Sequence, residues 1–575
     1  MRRTILAIQG NCFTKGTVNE SSACLMVDGK IIANVAEERL SRKKLDGGFP
    51  DKAIEEVLRI GGITIDDVDV VATTSLSPFE TNRAYLKAAW STFKDTGVML
   101  NSKFKDFSYN ALYNKVKGEK ECRLDVLGKT FDVELHDHHL CHAAGAYYAS
   151  PFDKALVITL DGGGDGLDGG AYYGKDGDLV NFIEIPHFQS PGTMYSALTH
   201  DLGFKRHRHE GKITGLAAYG NPDPKRLGLD DLIRYDNKKH RFVSKQVAAH
   251  HKDIQEKSAY FHPLLEKFPR EDLAAALQFL FEREIINFIN DAVKVAGEKG
   301  YDFDTICLAG GCFANVKANQ RVFETGHFKD IFVYPAMGDD GLSTGAAYLS
   351  YYSDKEKKED TSEISHTYHG SDFSDEEIEK ALNDHQLEFT RYDEVEPKIG
   401  ELLADGKIIA RFNGRMEYGP RALGNRSIIG APFDDSINDW LNKKLNRTEF
   451  MPFAPSIIED AASDYFKDYG NEKAAEFMTI TYDIVDGMAE KIPAVVHVDN
   501  TARPQVVRKD VNQSYYNIIS EFGKRSGVPV VLNTSFNMHE EPIVYTPDDG
   551  IRGFLAAELD FLAIGNYIVP HPNKV

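Results

Sequence analysis

The chain has 575 residues, of which 42% are hydrophobic and 27% charged, a composition typical of soluble globular proteins, and its length predicts about two to four domains. Its 88 acidic and 67 basic residues give a formal charge of −21, which argues against nucleic acid or an anionic membrane as a partner. The six cysteines include no Cys-x-x-Cys pair, so neither a zinc knuckle nor a dense disulfide framework is indicated.

The first predicted strand lies in "MRRTILAIQG". Its apolar run of about five residues is too short for a signal peptide or a membrane span, so we expect a cytoplasmic protein. The strands "SACLMV" and "KIIANVAEE" follow, joined by Asp28-Gly29, which is a strong hairpin signal. The same plan returns at "ALVITLDGGGDG", "GGAYYG" and "LVNFIEI". These two meanders predict a duplicated actin-like or sugar-kinase-like α/β domain (ribonuclease H-like), a fold that holds nucleotide phosphates between its halves.

Histidines cluster in "HDHHLCHAA". His138 and His142 lie one helical turn apart, so they can place two imidazole nitrogens on one metal ion. His139 stands where a zinc protease has its catalytic glutamate, which disfavours a protease. A further ligand is available from "PAMGDDGLSTGAA", where Asp339 follows a strand. Histidines that only make structural hydrogen bonds are the alternative.

Two glycine-rich turns follow predicted strands. The turn "DGGGDGLDGG" begins at Asp161 and is interpreted as facing a phosphate. A calcium loop is disfavoured because Tyr172 occupies the position that requires a bidentate glutamate. In "TICLAGGCFAN", Gly310 and Gly311 separate a strand from a helix, which lets the backbone approach a nucleotide closely.

The segment "YYSDKEKKEDTSEISH" is charged and poor in apolar residues, which marks a linker. We therefore predict a first domain at residues 1–355, a linker at 356–366 and a second α/β domain at 367–575. The second domain should contain helices that start at Ser374 and at Thr546-Pro547. Its predicted strands lie in "KIIARFNG", "VPVVLNTS" and "DFLAIGNYIV".

Arginines of the second domain gather in "NGRMEYGPRALGNRSIIGAP", which contains Arg415, Arg421 and Arg426. Guanidinium groups suit phosphate or carboxylate oxygens, and several of them in one glycine- and proline-rich segment predict an anion site. Arg503 in "HVDNTARPQVV" and the polar strand end "VVLNTSFN" add further hydrogen-bonding groups. Ordinary surface loops are the alternative.

Eight motifs resemble, in order and spacing, those of the NodU/CmcH carbamoyltransferases, over nearly the whole chain. They are "EERLSRKK", "DHHLCHAAGAYY", "EGKITGLAAYG", "LAGGCFAN", "MEYGPRALGNRS", "MPFAP", "HVDNTARPQ" and "LNTSFN". The resemblance implies that the C-terminal domain is YrdC-like and forms carbamoyl-adenylate from carbamoyl phosphate and ATP. It also implies that the actin-like domain passes the carbamoyl group to a hydroxyl of a small metabolite.

The resemblance further implies roles for individual residues. Metal ligands would be His138, His142 and Asp339, with Fe(II) as the family expectation and zinc or manganese admitted by the ligand types. The anions of the second domain would be bound by Arg421, Arg426, Arg447 and Arg503, with neutral hydrogen bonds from Asn533 and Ser535. The nucleotide pocket would be lined by Glu210, Lys212, Gly310, Gly311 and Asp161, with ATP and Mg(II) as cofactors. Ordinary helix and turn residues are the alternative.

The chain departs from the family pattern at two places. Asn19-Glu20 replaces a usual His-Asp pair, so a role of that histidine as base or in orienting the acceptor would either be missing or pass to Glu20. Met451 replaces an arginine, and Lys443 or Lys444 would have to supply the missing charge.

Residues 82–120 belong to none of the shared motifs and are basic and aromatic. We interpret them as a lid or an acceptor-binding surface; an exposed helical pair is the alternative.

Other functions are compatible with parts of the sequence. A sugar- or acid-kinase-like phosphotransferase would explain the meanders but not the histidines or the arginines. A non-catalytic nucleotide-binding protein would fit the two departures. A hydrogenase-maturation carbamoyl dehydratase would need zinc-finger and acylphosphatase segments, and the chain has no Cys-x-x-Cys pair. The sequence identifies neither the acceptor nor the oligomeric state, and a homo-oligomer is one possibility.

Overall fold

The computed structural model describes residues 3–12, 20–74, 87–91, 94, 122–244, 260–353, 363–445, 451–470 and 472–574. The contacts divide the chain into two units. The first consists of Met1–Ile32, Gly47–Ile54 and Gly62–Ile364, and the second of Ala33–Asp46, Glu55–Gly61 and Ser365–Val575. Ala33–Asp46 and Glu55–Gly61 thus belong to the second unit, whereas the sequence predicted them as part of the first domain. Most of the predicted linker and most of residues 82–120 lie outside the described part of the chain.

The strands up to residue 333 build two five-stranded sheets and two small hairpins. They are Thr4–Gln9 (β1), Ser22–Val27 (β2), Lys30–Ala36 (β3), Val70–Thr73 (β4), Arg123–Val126 (β5), Lys129–Asp132 (β6), Glu134–Leu135 (β7), Lys154–Gly164 (β8), Leu167–Lys175 (β9), Asp178–Pro186 (β10), Arg234–Asp236 (β11), Arg241–Val243 (β12), Thr305–Ala309 (β13) and Asp330–Val333 (β14).

The two five-stranded sheets share one topology. Their orders are β3-β2-β1-β4-β7 and β10-β9-β8-β13-β14, so each reads 3-2-1-4-5 when its strands are numbered along the chain. In each sheet the first strand pairs antiparallel with the second and parallel with the fourth. The repeated order agrees with the predicted duplication, and the mixed α/β class is confirmed.

The helices, in chain order, complete both units. They are Glu37–Ser41 (α1), Asp51–Gly61 (α2), His138–Ala149 (α3), Pro191–Asp201 (α4), Glu210–Ala217 (α5), His262–Leu265 (α6), Arg270–Glu298 (α7), Val316–Phe323 (α8), Leu342–Tyr352 (α9), Asp375–Asp384 (α10), Glu396–Ala404 (α11), Ser436–Lys444 (α12), Ala462–Tyr465 (α13), Gln513–Ser526 (α14) and Pro547–Ala557 (α15). No helix among the described residues is long and apolar enough to span a bilayer.

Helices α3 and α9 pack closely in the first unit. At Gly345 a Cβ atom would lie 1.9 Å from the carbonyl oxygen of Cys141, so only glycine permits this approach. The packing fixes α3, which carries the predicted histidine pair, against the sheets.

The second unit contains one eight-stranded mixed sheet and a two-stranded ribbon. Their strands are Thr390–Arg391 (β15), Ile409–Phe412 (β16), Arg426–Gly430 (β17), Ala454–Ile458 (β18), Tyr482–Asp483 (β19), Thr501–Ala502 (β20), Gln505–Val507 (β21), Val530–Ser535 (β22), Phe561–Ile564 (β23) and Tyr567–Pro570 (β24). The order of the sheet is β15-β24-β23-β16-β17-β22-β18-β21, and β19 pairs with β20 in the ribbon. Buried side chains of α11 and α14, such as Leu403 and Phe522, pack in one core cluster with residues of this sheet.

Both predicted helix starts in this unit are confirmed. Ser374 and Thr546 each form a capping box with the acid three residues on, and Pro547 holds the first position of α15. The single strand predicted in "DFLAIGNYIV" is instead the hairpin β23–β24. Gly565, with φ of +53°, allows the tight turn that interrupts the apolar run.

Candidate functional site

Four side chains of the first unit converge on one point. Nε2 of His138 lies 2.8 Å from Oδ2 of Asp161 and 3.8 Å from Oδ1 of Asp339. Nε2 of His142 lies 3.2 and 3.8 Å from the same two oxygens. One ligand atom from each residue fits within 4.8 Å of the others. The structure thus brings the three predicted ligands together and adds Asp161, which had been assigned to a phosphate-facing turn.

Local structure explains this convergence. Both histidines lie on α3, whose first turn is capped by Asp137, and the His138 N–H donates to Asp165 at 3.1 Å. Asp161 lies in β8, and its Oδ1 accepts the Gly163 N–H at 2.6 Å. Asp339 opens a short 3-10 turn after β14. Because these elements come from separate parts of the chain, only the tertiary structure defines the full group.

The electrostatics of the group favour ionised carboxylates. Burial alone would lower the pKa of His138, but the charge of Asp161 and their hydrogen bond raise that pKa to about 10. Burial would raise the pKa of Asp161, but His139 and His138 hold it well below its usual range. A divalent cation in this position would displace the His138 proton. Two imidazoles and two carboxylates form a donor set that suits Fe(II), zinc or manganese.

Glu20 lies beside this group. Its Oε2 accepts the Asp340 N–H at 3.2 Å, one residue after the candidate ligand Asp339. Asn19 lies outside the described residues. The structure therefore places Glu20 against the backbone of the residue that follows the candidate ligand Asp339.

The predicted nucleotide residues of the first unit lie on different elements. Gly310 directly follows β13, and its N–H donates to the Met337 carbonyl at 2.8 Å, while Gly311 begins a 3-10 turn. Glu210 starts α5 and accepts hydrogen bonds from Ser196 and from the His207 N–H. Lys212 is buried, with its ammonium 5.2 Å from the centre of the Phe204 ring. Glu210 and Lys212 thus contact other residues of the first unit, and their role in nucleotide binding remains a prediction.

Arg426 in the second unit is fully buried on β17. Its guanidinium donates to the carbonyls of Asn413 at 2.9 Å, Gly414 at 3.1 Å and Asn425 at 3.0 Å, and lies 3.6 Å from the centre of the Phe412 ring. Burial lowers its pKa to about 10. The guanidinium of Arg426 thus binds backbone carbonyls inside the protein, whereas the sequence suggested that it faces a bound anion.

Asn533 is also turned inward. Its Nδ2 donates to the Ala422 carbonyl at 3.2 Å, to Ser456 Oγ at 3.0 Å and to Gln505 Oε1 at 3.0 Å. Gln505 Nε2 in turn donates to the Leu423 carbonyl at 2.8 Å. This buried network joins the "LNTSFN" and "TARPQ" motifs and Ser456, which directly follows "MPFAP", to the arginine-rich loop.

The other predicted residues of the second unit are less enclosed. Arg421, Arg503 and Ser535 are half-buried. Arg421 and Arg503 lie in loops, and Ser535 is the last residue of β22. Arg447 lies outside the described residues. Met451 is half-buried, and α12 ends at Lys444.

Four residues of these sites were not predicted from the sequence. They are Asp161, as a potential metal ligand, and Glu417, Ser456 and Gln505, as members of the buried hydrogen-bond network around the arginine-rich loop. An aspartate that ends a fully apolar run was the available signal for Asp161. Glu417 belongs to the motif "MEYGPRALGNRS". Because this motif predicts a loop, it has no repeating apolar pattern from which the burial or the partners of Glu417 could be predicted.

The comparison with protein families identifies the class. Residues 12–348 match the model of the carbamoyltransferase N-terminus, and residues 400–571 match that of the carbamoyltransferase C-terminus. The protein belongs to the carbamoyltransferase family, as the motifs had suggested.

Three relatives illustrate this membership. An uncharacterised protein of Synechocystis sp. is 32% identical over 96% of this chain and 95% of its own length. The nodulation protein NolNO of Sinorhizobium fredii is 32% identical over 96% and 79%. The 3'-hydroxymethylcephem-O-carbamoyltransferase of Streptomyces clavuligerus is 24% identical over 95% and 96%. Each similarity extends through both units.

Proposed function

We propose that the protein is an ATP-dependent O-carbamoyltransferase. Carbamoyl phosphate and water would yield carbamate and phosphate, and attack of carbamate on the α-phosphorus of ATP would give carbamoyl-adenylate and pyrophosphate. An acceptor hydroxyl would then take the carbamoyl group and release AMP. The observation that carries the proposal is the convergence of His138, His142, Asp161 and Asp339 in a chain that matches both carbamoyltransferase models.

The acceptor class is proposed to be a small hydroxyl-bearing metabolite. The Streptomyces relative is named for carbamoyl transfer to the oxygen of a hydroxymethyl group, which supports an alcohol as acceptor. Glu20, beside the metal-competent group, is proposed to orient the hydroxyl and accept its proton.

In the first unit, His138, His142, Asp161 and Asp339 would hold a divalent cation, with Fe(II) proposed. When bound, the metal would supply Lewis-acid stabilisation of phosphate charge as the mixed anhydride breaks. The lowered pKa of the Asp161 carboxyl and the placement of both histidines on α3 support this ligand set. Gly310, Gly311, Glu210 and Lys212 are proposed to line the nucleotide pocket.

In the second unit, proposed to be YrdC-like, Arg421, Arg447, Arg503 and Ser535 would bind carbamoyl phosphate and the phosphates of Mg(II)-ATP. Arg426 and Asn533 are proposed to shape the surrounding loop, because their polar groups are engaged by internal partners. The domain limits inferred from the sequence and the cytoplasmic location remain predictions.

ATP–pyrophosphate exchange, measured with and without carbamoyl phosphate, tests the adenylation step. We expect exchange that requires carbamoyl phosphate and is lost in Arg503→Ala. Arg525→Ala is the matched control, because Arg525 is paired with Glu521 on the exposed side of α14. Exchange without carbamoyl phosphate, or release of ADP in place of AMP, would contradict the proposal and favour a phosphotransferase.

A further inference from the structure

The "EERLSRKK" motif has no role in the proposed chemistry, yet it folds into the second unit. Its Arg39 is 8% exposed, and Nη2 of Arg39 donates to the Gly419 carbonyl at 3.0 Å. Nη1 of the same guanidinium lies 3.1 Å from Glu38. A buried arginine contributed from the N-terminal part of the chain therefore fixes the backbone two residues before Arg421.

Glu417 fixes the same loop from within. Its Oε1 accepts three backbone N–H groups, from Leu423 at 2.8 Å, Asn425 at 2.6 Å and Arg426 at 3.1 Å. The side chain is 4% exposed. Charge-assisted hydrogen bonds of this kind in a buried setting are stronger than neutral ones, so the carboxylate holds the far end of the loop.

Other buried side chains reinforce that end. Arg411 Nε donates to the Gly424 carbonyl at 2.8 Å, and the Tyr368 hydroxyl donates to the Leu423 carbonyl at 2.8 Å. Arg421 thus stands between one anchor at Gly419 and a second set of anchors from Leu423 to Arg426. It is the half-buried arginine of a loop whose backbone is held on both sides.

We propose that Arg39 and Glu417 are positioning residues that pre-organise Arg421 for a phosphate oxyanion. The inference rests on the proposed function, since the anion would be carbamoyl phosphate or a phosphate of ATP. A loop fixed before binding loses less conformational freedom on binding, and a misplacement of about 1 Å can cost about 100-fold in rate.

The test compares full-length variants in carbamoyl-phosphate-dependent exchange. Arg39→Ala and Glu417→Ala should raise the KM for one phosphate substrate by about tenfold or more. A larger change for carbamoyl phosphate than for ATP would assign Arg421 to the former, and the reverse to the latter. Glu417→Gln retains a carbonyl oxygen at the convergence point and should recover most of the affinity.

Arg42→Ala is the matched control. Arg42 belongs to the same motif and also donates to backbone carbonyls, those of Pro542 and Ile543, both at 2.8 Å, and that of Arg39 at 3.2 Å. None of these carbonyls belongs to the arginine-rich loop. We expect Arg42→Ala to lower the melting temperature while leaving both KM values within about twofold of wild type, a change too small for a lost positioning contact.

A second readout separates this inference from the proposed function. Inorganic phosphate should raise the melting temperature of wild type and Arg42→Ala more than that of Arg39→Ala. If wild type shows this shift but no exchange, the proposed function fails while the positioning role stands. If Arg39→Ala and Glu417→Ala melt earlier but keep wild-type KM values and phosphate shifts, the two residues are only structural and the inference is overturned.

Discussion

At the scale of single residues, Asp161 completes the group of side chains in the first unit that could hold a metal ion. It contacts His138 and His142. Asp161 and Asp339 together supply two negative charges, which balance a divalent cation. Asp161→Asn keeps the shape but removes one of these charges. We expect at least a tenfold loss of affinity for Mn(II) or Fe(II), measured by metal analysis after anaerobic dialysis.

His136→Gln is the control for this prediction. His136 lies in the same histidine-rich stretch, but its Nε2 pairs with Ser350 Oγ at 2.9 Å rather than with the four-residue group. Its metal content should match wild type. Equal metal content in Asp161→Asn and wild type would show that Asp161 is not a ligand.

Asn533 tests the buried network of the second unit. Asn533→Ala removes the donor that serves the Ala422 carbonyl, Ser456 and Gln505. Leaving buried acceptors without a partner should lower the free energy of unfolding by about 1–3 kcal/mol, measured by urea denaturation. Asn383→Ala, at an exposed position of α10, should be close to neutral; a similar loss in both variants would speak against the network.

At the scale of elements, the C-terminal part of α2 is tied to the second unit through Glu56. This carboxylate accepts hydrogen bonds from Arg59 at 2.8 Å and from the Tyr545 hydroxyl at 2.6 Å, and contacts Ser371. Burial by itself would raise the pKa of Glu56, but the hydrogen bonds from Arg59, Ser371 and Tyr545 lower it.

A pH-dependent stability difference follows from this contact. A lowered pKa stabilises the folded state above the unfolded pKa of about 4.3, and this contribution is lost as the pH falls through the folded pKa. Glu56→Gln should therefore lose about 1–3 kcal/mol at pH 7, with the gap to wild type shrinking below about pH 4. Thermal melts across this range, with exposed Glu55→Gln as control, would check it; a gap that grows on acidification would contradict it.

At the scale of the whole molecule, we expect each unit to carry out a different step of the reaction, so that a substitution can affect one step without the other. We expect His142→Ala to retain carbamoyl-phosphate-dependent exchange within about twofold but to lower transfer by on the order of 100-fold. Arg503→Ala should lose both. Transfer can be followed as radiolabel from carbamoyl phosphate that appears in the small-molecule fraction of a cell extract. Parallel loss of exchange and transfer in His142→Ala would argue against one reaction per unit.

The overall charge and several secondary-structure elements could be predicted from the sequence. The spacing of His138 and His142 predicted a shared helix face, which α3 confirms. Ser374 and Thr546 predicted helix starts correctly because a cap depends on residues within one turn. Eight ordered motifs indicated the family, which the matches to both carbamoyltransferase models then showed.

Other features were decided by tertiary structure alone. Asp161 joined the histidines, Arg426 turned inward, and Arg39 was assigned to the second unit, because each outcome depends on contacts between residues far apart in the chain. Local periodicity describes which face a side chain occupies, but not which distant group meets it. The amino-acid sequence by itself thus determined the elements, the repeated meander and the family, whereas the folded chain determined which polar groups share a buried site.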